Sequence, residues 1–165
     1  MTTDASTPNP RGPEPAGVSA VLALVLSTIS FFALAIVGLG ALSFATDTDV
    51  IAVPDLGPAP GAIGMAAAVA AFAGVEWLAV RISRPVYRSV WVTALATVLV
   101  HLMVVSAGVL LAAGDVVVAL AVAGGLVTTG PSLVILAAAS VAAWGGVALR
   151  RTRAQHPTWP WEHDE

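Results

Sequence analysis

The sequence predicts an all-α polytopic membrane protein, with four transmembrane helices and both termini cytoplasmic. Three observations carry this. The chain is 58% hydrophobic and 10% charged, with mean hydropathy +0.90, whereas soluble domains hold about 25% charged residues. Its apolar residues fall into runs long enough to cross a hydrocarbon core of roughly 30 Å. All seven basic residues are arginines, confined to three places: Arg11; Arg81, Arg84 and Arg88; Arg150, Arg151 and Arg153. The intervening loops carry only the acids Asp47, Asp49, Asp55 and Asp115. Short loops beside spans keep Arg and Lys in the cytoplasm, so the pattern predicts a multi-pass protein of the cell membrane with its arginine loops inside.

Residues 1–17 hold four prolines and no bulky apolar side chain beyond Met1. Such a segment cannot bury enough surface to fold, which predicts a disordered cytoplasmic tail. The first apolar run, Val18 to Ala45, is 28 residues, far beyond the roughly 7–15 residues of a signal-peptide core, so an uncleaved anchor is expected. An outer loop follows, and 61–80 forms the second span. The inner turn 81–88 contains Pro85, and 89–113 forms the third span.

Residues 116–149 lack any charge. As one helix they would extend about 51 Å, too long for one crossing and too short for two. Two crossings would also put the Arg150 cluster outside. Thr128-Thr129-Gly130-Pro131 is a breaker, because proline suits the first turn of a helix. The last span is therefore expected over 131–149, with 116–130 interfacial or re-entrant; one long kinked helix is the alternative. The tail 150–165 is placed in the cytoplasm.

Trp77, Trp91, Trp144 and Tyr87 all fall near the arginine boundary, where amphipathic rings favour the headgroup level. Small residues at four-residue spacing predict helix-contact faces at Ala66, Ala70 and Gly74 on the second span, and at Ala138, Ala142 and Gly146 on the fourth.

Ionisable residues inside spans are costly and mark candidate sites. Glu76 lies about 6 Å into the bilayer and His101 roughly 18 Å, so they are not expected to touch. Glu76 is level with Thr93, and Arg81 or Arg84 is expected to reach its carboxylate. Thr93, Thr97 and His101 share one helical stripe, which is expected to face the bundle interior. Ser30 is expected at the depth of His101, with Ser27 and Ser140 about 4–5 Å nearer the cytoplasm. The plain reading of His101 is a neutral interhelical hydrogen-bond donor; the sharper one is a proton relay. In the tail, Trp159 and Trp161 stand between prolines and are expected to dock on a partner or lie on the membrane surface.

The chain has no cysteine, which excludes disulfides and thiolate sites. His156 and His163 lack metal-ligand spacing, and the loop aspartates lack the pattern of a calcium loop. No metal, cofactor or catalytic set is expected, and no basic arm suits nucleic acid. With its arginine-rich end and Pro-Trp-Pro-Trp tail, the chain resembles the small four-span uncharacterised integral membrane proteins of actinobacteria. That resemblance implies no activity. The expected role is an interaction or accessory component of the bilayer, with a membrane-protein partner or a homo-oligomer. The alternative is a small oligomeric transporter or proton-coupled subunit working through His101.

Overall fold

The computed structural model describes residues 18–47, 57–82 and 85–152. Among these, five helices form: α1 (Ala20–Thr46), α2 (Ala59–Val80), α3 (Arg88–Ala113), α4 (Val116–Thr128) and α5 (Pro131–Arg151). Four of them, all but α4, are long and apolar enough to cross a membrane. The fold is all-α, as the sequence predicts.

Local chemistry sets the helix ends. Ser19 caps α1, its hydroxyl accepting from the Leu22 N–H at 3.2 Å. Gly114 ends α3 at φ +67°. Asp115 caps α4 by accepting from the Val117 and Val118 N–H groups, and Gly130 (φ +108°) followed by Pro131 separates α4 from α5. Only glycine adopts such a φ without strain. The single kinked helix is thus excluded: α4 is a separate 13-residue helix. At about 20 Å it is too short to cross.

Around the bundle the order is α1, α2, α3, α5, with α1 and α3 at opposite corners and α2 touching α5 across the diagonal. Phe31, Phe72, Ile135 and Val147 centre the core, interleaved with alanines of all four helices, and the Phe31 and Phe72 rings stack at 4.7 Å. A second cluster seats Ala119 and Leu126 of α4 on Val105 and Val109 of α3.

The two ends differ. At one, the Arg150 guanidinium donates to the Val80 carbonyl at 2.9 Å and the Val18 carbonyl at 2.8 Å. It thereby joins the end of α2, the start of α1 and the end of α5, and a cation at a helix C-terminus is favoured by the helix dipole. At the other end stand the exposed Asp47 and Asp115. There Gly130 packs on Leu42, so α4 lies at the aspartate end.

One expected packing face is wrong. Ala66, Ala70 and Gly74 are exposed, whereas Gly64, Ala68, Phe72 and Glu76 form the buried stripe of α2. The larger Phe72 and Glu76 side chains have partners inside, and the alanine face has none among the described residues. Ala138, Ala142 and Gly146 of α5 are buried.

Candidate buried polar site

Glu76 stands on the diagonal where α2 meets α5, and it is 0% exposed. Its Oε2 accepts a hydrogen bond from the Thr93 hydroxyl at 3.3 Å. Its Oε1 has no partner. Gly146 makes this arrangement sterically feasible: a Cβ there would come within 2.5 Å of Oε1, 3.1 Å of Ser27 Cβ and 3.2 Å of Ser27 Oγ. Four helices therefore each contribute to one node: Ser27 from α1, Glu76 from α2, Thr93 from α3 and Gly146 from α5. The Ser27 hydroxyl donates back to the Leu24 carbonyl at 3.0 Å, so its proton is not directed at Oε1.

Of the two arginines expected to reach this carboxylate, Arg81 does not. Arg81 is exposed and makes no ion pair among the described residues, and Arg84 lies outside them. Glu76 points into the bundle at the α2–α5 crossing, where its surroundings are Thr93, Ser27 and Gly146. Arg150, the nearest guanidinium along α5, donates to backbone carbonyls instead.

Two packed layers bound the node along the helix axes. One helical turn toward the aspartate end lie Phe31 and Phe72, stacked on each other. One turn toward the arginine end lie Ala23 and Val80, both 0% exposed. Side chains four residues apart share a helix face, which is why each layer sits directly above or below the node.

The polar stripe continues up α3. Thr97 is buried and donates to the Thr93 carbonyl at 2.7 Å. His101 is 4% exposed, and its Nδ1 has no hydrogen-bond partner of good geometry. Its ring lies against Gly64 of α2, where a Cβ would come within 3.4 Å of the imidazole and would collide with Val105. Thr93 and His101 are eight residues apart, or about 12 Å along the helix. Glu76 and His101 are therefore separate sites on one stripe.

Ser30 does not join His101. It is exposed and lines, with Ser27, an open groove of about 280 Å³ between α1 and α5. One helical position apart from the buried Ser27–Phe31 stripe was enough to turn it outward. Trp159 and Trp161 lie outside the described residues. The two glycines that shape the sites, Gly64 and Gly146, carry no chemical signal of their own. Among 15 glycines, nothing in the sequence separates these two as the ones that admit a polar side chain.

Residues 16–165 match a family of unknown function, DUF6121. The chain belongs to that family. No curated protein and no solved structure matches it. In this DUF6121 chain the chemistry available inside the bundle is a carboxyl with one unbonded oxygen and an imidazole whose Nδ1 lies beside the Gly64 backbone. Among the described residues no three His, Asp or Glu side chains converge as a metal site. Proton or hydrogen-bond exchange is what these two groups can perform where they stand.

Proposed function

We propose that the chain is a non-enzymatic integral membrane protein of the cell membrane that works as an interaction or accessory component, its termini and arginine end in the cytoplasm. The observation that carries this reading is closure. Above His101 the stripe turns apolar, with Val105 and Val109 both 0% exposed and Pro60 packed beside Gly108. Below Glu76, toward the arginine end, Ala23 and Val80 are both 0% exposed. Among the described residues a single chain thus offers one short polar stripe, Glu76, Thr93, Thr97 and His101, closed by apolar residues at both ends, which suits a scaffold better than a conduit. The tail with Trp159 and Trp161 is the proposed partner contact. Affinity purification of the full chain and of a chain lacking residues 155–165 tests it. The truncated chain is expected to lose specific membrane-protein partners; an unchanged set overturns the reading.

A second reading is a proton-coupled subunit of a homo-oligomeric transporter, favoured by the unbonded Glu76 Oε1 and the buried His101 on the same stripe. In proteoliposomes carrying a pH-sensitive dye, the accessory reading expects wild type, His101→Ala and Glu76→Gln all to remain at background flux. Wild-type proton flux lost in either variant would establish the second reading instead.

A further inference from the structure

The groove between α3 and α5 at the arginine end takes no part in the buried site. Its cavity is about 540 Å³, lined by Tyr87, Val90, Trp91, Ser140, Val141 and Trp144. That volume falls in the range of about 300–1,000 Å³ common to small-molecule sites. Trp91 is 62% and Trp144 58% exposed, so two indoles stand open on its walls. The walls are mostly apolar, and guanidinium groups stand beside Tyr87 at one end. The Arg151 guanidinium lies 4.9 Å over the Tyr87 ring, with a weak 3.4 Å hydrogen bond to the Pro85 carbonyl. Arg88 directly follows Tyr87 and is exposed.

Nothing described balances this charge. The described acids are Asp47, Glu76 and Asp115. Two of them stand at the opposite end, and Glu76 is enclosed behind Val80. An aromatic-walled apolar groove with uncompensated guanidinium groups at one end is complementary to an amphiphile with an anionic head and a hydrocarbon tail. Arginine suits the head, because its planar fork binds phosphate oxygens in pairs. The open indoles and the phenol suit the level where head meets tail.

We propose that this groove is a specific binding site for an anionic phospholipid, its phosphate on Arg151 and Arg88 and one acyl chain between Trp91 and Trp144. The site does not depend on the partner role proposed above, and its test reads lipid rather than protein.

Native mass spectrometry of the purified full chain in neutral detergent, titrated with phosphatidylglycerol or phosphatidylcholine, tests the proposal. Phosphatidylglycerol is expected to bind at least about fivefold tighter, a difference of about 1 kcal/mol. The Arg88→Gln/Arg151→Gln variant should bring the ratio close to one. Arg81→Gln, at the end of α2 away from the groove, should keep it. Ser140→Trp, which fills the groove wall, should weaken both lipids while leaving the charges in place. Equal binding of the two lipids by wild type overturns the proposal, as does an equal loss in Arg81→Gln, which would mark bulk charge alone. Binding of glycerol 3-phosphate as tight as that of the lipid would leave a headgroup site with no acyl groove. Deleting residues 153–165 should leave the ratio unchanged.

Discussion

At the residue scale the bundle turns on two glycines. Gly146 is buried against Glu76 and Ser27, and a methyl group there has nowhere to go without moving the carboxylate. Overpacking of this kind costs about 1–3 kcal/mol. Gly146→Ala is therefore expected to lower stability by about that much in denaturant titrations in mild detergent. The cost should shrink in a Glu76→Ala background, where the colliding oxygen is gone. A cost identical in both backgrounds would mean that Gly146 does not shape the Glu76 node, because contacting residues couple and distant ones add. The sequence marked Glu76 and its level with Thr93 through helical rise alone. It did not show that Arg81 stays away from the carboxylate, because rise gives depth and not the direction a side chain takes around the helix. Arg81 is near in sequence and outside in space.

At the element scale α4 is the unusual piece. It is 13 residues long, apolar, and held to α3 by Ala119 and Leu126 against Val105 and Val109. Asp115 caps its start and Gly130 closes its end, so its boundaries rest on two replaceable residues. Asp115→Ala removes the acceptor of two N–H groups, which costs about 1 kcal/mol. Gly130→Ala forces a side chain into φ +108°, a strain of about 1–3 kcal/mol. Hydrogen exchange of α4 amides is expected to quicken in Asp115→Ala while α2 and α3 stay protected; uniform loss across the bundle would mean that α4 is part of the cooperative core. The break before α5 was readable in Thr128-Thr129-Gly130-Pro131, because Gly and Pro act through the local backbone. The buried stripe of α2 was not readable. Its alanine face and its Gly64–Glu76 face are both apolar enough to serve, and the choice depends on Phe31 from α1, which Phe72 meets.

At the scale of the whole molecule, one end is arginine and the other aspartate, and Arg150 ties three helix ends together at the first. The proposal that this end is cytoplasmic rests on the arginine loops. The cysteine-free chain allows a direct test with single cysteines at Val50, Val86, Leu120 and Thr158. A membrane-impermeant thiol reagent outside intact cells is expected to label positions 50 and 120 and to spare 86 and 158. The reverse pattern would invert the topology and move the proposed lipid site to the outer leaflet. Labelling of 120 and 158 together would place the ends of α5 on the same side, which its span-length helix does not allow.

Composition and the spacing of apolar runs determined by themselves that this chain is all-α with four helices long and apolar enough to cross a membrane, since backbone groups in lipid must bond within their own segment. Spacing along α3 likewise put Thr93, Thr97 and His101 on one stripe, because 3.6 residues per turn is a property of any helix. Tertiary structure alone decided what those groups meet. Glu76 was set against Thr93, Ser27 and Gly146, His101 against Gly64, and Ser30 outside. Each of those choices depends on the rotation of one helix against another, and in an alanine-rich membrane chain several rotations bury similar surface. Shape at a few contacts, such as the Phe31–Phe72 stack and the space left by two glycines, selects among them.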